Sequence, residues 1–231
     1  MTRIRLAVAL QLVFVAALYG CAAGRSVVTV TMDAGRNPEK GTAVRIQEVT
    51  DLRRFMVRPP SADMPSLMED NEIHDKAITS RAVGRKRGGF GNALGDVVLQ
   101  EGMTVQKLVE AATARAFRES GYRVLDSGDP GHAQAVPVSV RIDQFWSWFS
   151  PGFAAVTVSF RGVLFLKGDV PPIANGKIAN TQVQEQMAAV FEDDWKAIVQ
   201  KGLNDLVVRM KDVLQPASQG SLRPEALAAS R

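Results

Sequence analysis

Residues 136–148, VPVSVRIDQFWSW, decide the fold that this sequence predicts. Apolar side chains occupy every second position in the first half of this stretch, which is typical of a β-strand with one buried face. The same phase continues to Trp146 and Trp148, so we expect both indole rings on one side of a long strand. Phe145 and Phe149 fall on the opposite side of that strand.

Two further strand signals follow this stretch. Ser150-Pro151-Gly152 predicts a turn, and alternating apolar residues then predict an antiparallel return strand with Gly162 as a bulge. After the loop-forming GDVPPIANG, residues 177–187 predict a third strand. The three strands together indicate an antiparallel sheet.

Two amphipathic helices accompany the sheet. Thr104 is a suitable N-cap for the first helix, whose apolar residues recur at steps of three and four until Ser120-Gly121 ends it. YRVL then predicts a strand, and the second helix is expected from about Asp193 to Leu214. We therefore expect an α+β fold, an antiparallel sheet with two amphipathic helices packed on one face.

The region before the first helix is less regular. Residues 28–32 and 44–46 alternate in polarity and predict an early strand or hairpin. Three prolines within residues 58–66 predict a loop that wraps around the domain. AITSRAV, residues 77–83, predicts a short strand that leads into a glycine-rich turn.

The N-terminus has the pattern of a signal peptide. Arg3 and Arg5 precede 14 residues that are apolar except for Gln11. A membrane-spanning helix needs about 20 apolar residues, whereas the apolar region of a signal peptide needs about 7–15. We therefore predict that residues 1–20 are a signal peptide that is removed.

Cys21, the only cysteine, directly follows this segment. Leu18-Tyr19-Gly20-Cys21 resembles the lipobox of bacterial lipoproteins, which implies a diacylglycerol on the Cys21 sulfur and cleavage before it. Ala22 then implies the outer membrane, with the protein on its periplasmic side. The alternatives are a plain secretory peptide with a nearby cysteine, or a buried core thiol.

The predicted domain organisation follows from these boundaries. Residues 21–26 form the lipidated N-terminus and a short linker, residues 27–214 form one α+β domain, and residues 215–231 form a flexible tail rich in Pro, Gly, Ser and Ala. The formal charge of +4 falls to +2 without the two arginines of the signal peptide, which argues against a general polyanion-binding role. The predicted periplasmic location argues against nucleic acid as a partner.

The side chains available in this sequence argue against metal, disulfide and catalytic sites. No cysteine remains beyond Cys21 for a disulfide or thiolate metal site, and His74 and His132 match no metal-ligand spacing. Glu192-Asp193-Asp194 is explained by helix capping, and no Gly-x-Ser-x-Gly motif is present. We expect no metal, no cofactor and no catalytic residue.

A basic, glycine-rich stretch is the first candidate contact site. Arg81, Arg85, Lys86 and Arg87 lie between Asp75 and Asp96, a window without acids, and the last three fall within AVGRKRGGFGNALGD, residues 82–96. Its glycines fit neither a dinucleotide fingerprint nor a phosphate loop. Two alternatives stay open: contact with an envelope anion, such as lipid phosphate or a glycan carboxylate, or a solvated turn between strands.

Trp146 and Trp148 are the second candidate. Exposed aromatic residues at a hairpin tip are suited to contact a lipid surface or a protein partner. The alternative is packing in the core, since their phase continues that of the buried side of the strand.

The quoted motifs also resemble a family. The sequence is similar to the YajG-type uncharacterised bacterial lipoproteins over most of residues 21–214. The motifs that carry this resemblance are the lipobox, VTDLRRF, VGRKRGGFGNALGD, RESGYRVL and the C-terminal amphipathic helix. The proline-rich insert and the long tail depart from that pattern. The resemblance implies a lipid-anchored envelope protein of α+β fold without a known reaction.

From the residues and this resemblance together, we expect a non-enzymatic binding or assembly accessory that is bound to the membrane through Cys21. The alternative is a docking subunit of an envelope transport or secretion complex. Its expected partners are an envelope protein or an anionic glycan or lipid.

Overall fold

The computed structural model describes residues 24–88, 91–152 and 155–215. They form one eight-stranded sheet and three helices. The helices are α1 (Lys76–Thr79), α2 (Val105–Glu119) and α3 (Glu192–Leu214). The strands are β1 (Ser26–Val28), β2 (Ala43–Asp51), β3 (Ala82–Arg87), β4 (Ala93–Leu99), β5 (Arg123–Val124), β6 (Val136–Pro151), β7 (Val156–Gly168) and β8 (Lys177–Met187).

The sheet branches at β6. Along one side, β6 pairs with β7 in antiparallel fashion from Val138 to Pro151, and β7 pairs with β8. Along the other side, residues 136–142 pair with β2 in parallel, whereas Ser147 pairs with Gly84 of β3, also in parallel. The branch that begins with β2 continues to β5, and the branch that begins with β3 continues to β4 and then β1.

The α+β class is therefore correct, but the expected purely antiparallel sheet is wrong. β1 pairs with β4, and β2 pairs with β5 and β6, all in parallel. The predicted early hairpin is wrong for the same reason, because β1 and β2 belong to different branches. Parallel neighbours need a long crossover connection, so local alternation cannot reveal them.

The helices and the central hairpin lie where the sequence places them. Thr104 Oγ1 accepts a hydrogen bond from Lys107 N, and Gly121 follows α2 with a φ of +89°. α3 starts one residue before the expected Asp193 and ends at Leu214. Both helices contribute buried residues to the same core, which we call the helix-side core.

Residues 77–83 differ from the prediction of a short strand. Asp75 Oδ1 accepts a hydrogen bond from Ala77 N, which caps the short helix α1, and β3 begins only at Ala82. The cap overrides the weak alternation of this stretch.

A bulge in β6 changes which face its side chains cover. The register between β6 and β7 shifts between Ile142 and Gln144. Ile142 and Phe145 both belong to the helix-side core, whereas Trp146 and Trp148 lie on the opposite face. As expected, the tryptophan side chains lie on the face of the sheet opposite Phe145. They do not share a face with Ile142, contrary to the predicted alternation.

The bulge expected at Gly162 is absent, since β6, β7 and β8 stay in register there. This glycine instead makes room for α3. A Cβ atom at Gly162 would lie 2.7 Å from Leu206 Cδ1.

The opposite face of the sheet carries a second, smaller cluster. This far-face cluster consists of Leu67, Ala82, Val98, Trp146 and Trp148. Part of the segment between β2 and β3 packs over it, including Phe55, Ala62, Ile73 and Ile78. The predicted wrapping loop thus covers the face that the helices leave open.

Candidate functional site

The basic stretch does not form an exposed turn. Arg85 and Lys86 lie in β3 and are only 4% and 7% exposed. Arg85 Nη1 donates a hydrogen bond to Val57 O at 2.8 Å. The expected location of these two side chains on an open loop is therefore wrong.

The other two basic residues are half-buried and also contact the protein. Arg81 Nε donates to Leu99 O at 2.9 Å, and Arg87 Nη2 donates to Ser66 Oγ at 3.3 Å. The four side chains do not share one accessible surface. Anion contact stays a prediction, without the exposed cluster on which it was based.

A buried carboxylate, Asp96 on β4, is the counterpart of this positive charge. Its Oδ1 lies 4.0 Å from Arg85 Nε, and its Oδ2 lies 3.4 Å from Arg25 Nη2 and 3.5 Å from Met68 N. Arg25 also pairs with Glu72 at 2.5 Å. The sequence search missed Asp96, which it treated only as the end of the acid-free window.

Burial controls the titration of this cluster. Desolvation raises the pKa of Asp96, and its hydrogen bonds and the charges of Arg85 and Arg25 oppose that rise. Desolvation also lowers the pKa of the Arg85 and Arg87 guanidinium groups. The arrangement is an internal ion-pair network between β3, β4 and the N-terminal residues.

Trp146 and Trp148 are buried, with exposures of 0% and 8%. Trp146 Nε1 donates a hydrogen bond to Ala62 O at 3.3 Å, and its ring meets Phe55 edge-on with centroids 5.9 Å apart. This geometry favours the packing alternative. The contact alternative required exposure at the hairpin tip, which neither side chain has.

Arg53 is a structural residue that the sequence did not indicate. Its side chain lies where β6 exchanges β2 for β3 and donates to the carbonyl oxygens of Thr79, Ala82 and Phe145 at 2.6–3.1 Å. Two further hydrogen bonds, at 2.7 and 2.9 Å, go to the carboxylate of Asp51. Arg53 thus satisfies the carbonyl groups at the branch of the sheet.

A cavity of about 160 Å³ adjoins Arg53. It is lined by Asp51, Phe55, Thr79, Ser80 and Gln106, among others. The five N–H groups of Arg53 face five protein acceptors, so this guanidinium has no spare donor for a ligand.

No metal site emerges within residues 24–88, 91–152 and 155–215, where no three His, Cys, Asp or Glu side chains lie close enough to hold an ion. The acids at the start of α3 make local contacts. Asp194 Oδ2 accepts from Phe191 N at 2.7 Å, and Glu192 Oε1 accepts from Ser26 Oγ at 2.5 Å.

The polypeptide enters the sheet very soon after Cys21. Gly24 N donates to Leu94 O at 2.7 Å, and β1 begins at Ser26. The linker predicted for residues 21–26 is therefore partly inside the domain. A Cβ atom at Gly95 would overlap Gly24 O, so this close approach requires glycine.

Several connections share the end of the molecule at which Gly24 lies. β3 and β6 run parallel, which places the turn after β3 beside the turn after β6. Val156 pairs with Met187, so the connection between β8 and α3 is at this end too. We call this surface the entry end: Gly24, Gly88, Gly91, Asn92, Pro151, Gly152 and residues 187–191.

Cys21 itself lies outside the described residues, as do the predicted signal peptide and residues 216–231 of the tail. Among the helices that the structure describes, none is long and apolar enough to cross a bilayer.

Several solved structures are similar to this chain, and two of them are described below. No family model and no curated protein matches the chain. A crystal structure of an uncharacterised protein is 9% identical, with a TM-score of 0.39, over 84% of this chain and 99% of the other. Protein XCC0632 from Xanthomonas campestris, of family DUF330, is 12% identical, with a TM-score of 0.40, over 80% of this chain and 91% of the other.

Proposed function

We propose that this protein is a lipoprotein of the YajG type, anchored through Cys21 to the periplasmic side of the bacterial outer membrane. It acts there as a non-enzymatic binding or assembly accessory. The observation that carries the proposal is the position of Cys21, between a short apolar segment and Gly24, which is hydrogen-bonded to Leu94 in the sheet.

The anchor is physically sufficient. Each buried CH₂ contributes about 0.8 kcal/mol, so one acyl chain binds a membrane marginally and several chains bind it stably. The domain itself buries most of its large apolar side chains in two clusters, one on each face of the sheet. Attachment through lipid is therefore consistent with a water-soluble body.

The charged groups support a role in binding or assembly over catalysis. Arg53 is occupied by backbone carbonyl groups and Asp51, and Asp96 is enclosed by arginines within the protein. Neither presents a reactive group to an open cleft. Arg53 stabilises the branch of the sheet, and the surface remains for contacts with other molecules.

The test is the mass of the mature N-terminal peptide, together with fractionation of the envelope. Wild type and an Ala22→Ser control should carry diacylglycerol and fatty acid on Cys21 and stay in the membrane. Cys21→Ser should lose the lipid and its membrane association. An unmodified N-terminus in wild type, or unchanged fractionation of Cys21→Ser, contradicts the proposal.

The second candidate, a docking subunit of a transport or secretion complex, is favoured by the edge strand β8. This 11-residue strand pairs only with β7 among the described residues. A long edge strand can accept a strand from another protein. The predicted docking through Arg85 and Lys86 loses support, because both are buried.

Photo-crosslinking distinguishes this candidate. A reactive amino acid at Gln184, exposed on β8, should join the protein to one component of a detergent-stable complex, and the same group at Glu110, exposed on α2, should not. Equal products at both positions, or none at Gln184, contradict docking at this edge.

A further inference from the structure

We infer that the entry end lies on the lipid surface, with Phe191 inserted among the lipids beside the anchor. This inference rests on the lipid anchor proposed above. It adds a defined orientation of the domain and a second contact with the bilayer.

The short tether carries the first step. Cys21 and Gly24 are separated by three peptide units, and an extended chain spans about 3.3–3.6 Å per residue. Gly24 therefore lies within about 11 Å of a lipidated Cys21. Because Gly24 is hydrogen-bonded to Leu94 in the sheet, the whole entry end is held at the bilayer surface.

The start of α3 is fixed next to the tether. Ser26, two residues after Gly24, donates a hydrogen bond to Glu192 at 2.5 Å. Phe191 directly precedes Glu192. The connection between β8 and α3 is thus part of the surface that the tether brings to the membrane.

This connection has the chemistry of a lipid contact. Residues 187–191 read MAAVF and contain no charge. Phe191 is 71% exposed, the highest value among the exposed large hydrophobic side chains of the described residues. An exposed aromatic ring with apolar neighbours gains free energy at the boundary between headgroups and acyl chains.

Local structure does not account for phenylalanine at this position. Phe191 occupies the N-cap of α3, where Ser, Thr, Asp or Asn would add a side-chain hydrogen bond. Phe191 makes no such bond with its side chain. The ring is thus both exposed to water and unfavourable for the helix, which a lipid contact explains.

Nearby charges select the kind of lipid surface. Glu192, Asp193 and Asp194 follow Phe191 directly, and Arg25 is engaged by Glu72 and Asp96. The acids at the start of α3 repel an anionic surface. The expected partner is therefore a zwitterionic lipid surface, reached by a shallow insertion of Phe191.

The experiment uses the full lipidated protein in phosphatidylcholine vesicles that contain a quencher-labelled lipid. Cys21 is the only cysteine, and its sulfur is blocked by the lipid, so one introduced thiol can be labelled selectively. An environment-sensitive fluorophore at Ala189→Cys reports on the connection and leaves Phe191 intact. The control is Val208→Cys, an exposed position on α3, 17 residues and about 25 Å beyond Phe191.

We expect the fluorophore at Ala189→Cys to shift to the blue and lose most of its emission to the quencher, while the fluorophore at Val208→Cys stays unchanged. Adding Phe191→Ser should restore most of the emission at position 189. Vesicle-bound protein that is unquenched at position 189, or quenched equally at 208, overturns the orientation. Quenching that Phe191→Ser does not change overturns the role of Phe191.

Failure of the anchor gives a different result. Protein with an unmodified Cys21 that does not float with vesicles overturns the proposed function, and this inference with it. Protein that floats but fails the quenching test overturns only the inference.

Discussion

Among single residues, Arg53 has the largest expected effect on stability. Arg53→Met leaves Asp51 without its ion-pair partner and removes the donors to Thr79, Ala82 and Phe145. Removing one partner of a buried pair costs about 3–5 kcal/mol, so the urea midpoint should fall strongly.

Arg54 provides the matched control, because it is the exposed neighbour of Arg53. Arg54→Met should change the free energy of unfolding by less than about 0.5 kcal/mol. Equal losses in both variants would show that Arg53 does not stabilise the branch of the sheet.

Asp96 should make stability depend on pH in the direction opposite to an ordinary salt-bridged carboxylate. Burial raises its pKa in the folded protein, so the folded state binds the Asp96 proton more tightly than the unfolded chain does. This contribution is present below the pKa of the unfolded state, about 3.9, and is lost as pH rises through the higher folded value.

Urea unfolding of wild type and Asp96→Asn between pH 4 and pH 7 checks this sign. The stability of wild type relative to the variant should increase as the pH falls. A relative stability that decreases on acidification would mean that the arginines outweigh burial at Asp96.

The sequence does not show which individual side chains are buried. Charged side chains are seldom buried, so Arg85 and Lys86 were expected in solvent. The buried side chain of Arg85 contacts Asp96 and Val57 O, and no sequence motif marks these residues as its partners. Packing is one of the two alternatives that the sequence leaves open for Trp146 and Trp148, but the loop that covers them has no periodic pattern.

Among the elements, α3 should gain stability from a better N-cap. Phe191→Ser supplies a side-chain acceptor for the first turn and should raise the free energy of unfolding by about 1 kcal/mol. The measurement is the urea midpoint of the soluble domain. A gain in stability would also show that Phe191 is not required for folding.

Val208 is the control for this change, since it is an exposed apolar residue inside the same helix. Val208→Ser adds no cap and should leave stability nearly unchanged, because the two residues have similar helix propensities. Loss of stability in Phe191→Ser would contradict the capping argument.

The crossing of α3 over β7 depends on a glycine. A Cβ atom at Gly202 would overlap the ring of Phe160. Gly202→Ala gains about 1 kcal/mol of helix propensity, but overpacking of the core costs about 1–3 kcal/mol, so we expect a net loss.

Two variants test whether the clash with Phe160 causes the loss of stability in Gly202→Ala. Asn204→Ala, at an exposed position of α3, should be neutral or slightly stabilising. Phe160→Leu combined with Gly202→Ala should cost less than the sum of the two single changes. Strict additivity in the urea midpoints would contradict a direct clash.

Elements with a strong local pattern were predicted well. Thr104, Gly121 and the regular apolar steps of α2 and α3 determine helices that begin and end near the expected residues. The alternation in β6 predicted a strand, but it could not reveal the shift between Ile142 and Gln144. One extra residue in a strand exchanges the two faces, and sequence alternation alone does not identify it.

At the scale of the whole molecule, the two apolar clusters should unfold together. β6 contributes Phe145 to the helix-side core and Trp146 to the far-face cluster, so unfolding of this strand disrupts both clusters. In Trp195→Phe, the remaining tryptophans report only on the far-face cluster. Their fluorescence and the far-ultraviolet circular dichroism should show the same urea midpoint.

An earlier midpoint by fluorescence would contradict this cooperativity. It would mean that the segment between β2 and β3 detaches from Trp146 and Trp148 before the sheet unfolds.

The fold class was predictable because helices and hairpins have local signals, whereas the branched topology was not. β2 finds its partners in β5 and β6, and β1 finds its partner in β4, all far along the chain. Nothing in the alternation of residues 43–51 specifies which remote strand will lie beside it.

The parallel partners of the N-terminal strands also determine when this protein can begin to fold. Ribosomes make the chain from its N-terminus, but β1 finds no partner before Val97, and β2 meets β6 only when Val136 has been made. More than half of the polypeptide is therefore synthesised before the central branch can close, and contacts of such long sequence separation form slowly. Until its C-terminal half is present, such a chain has apolar strands without partners, which favours aggregation.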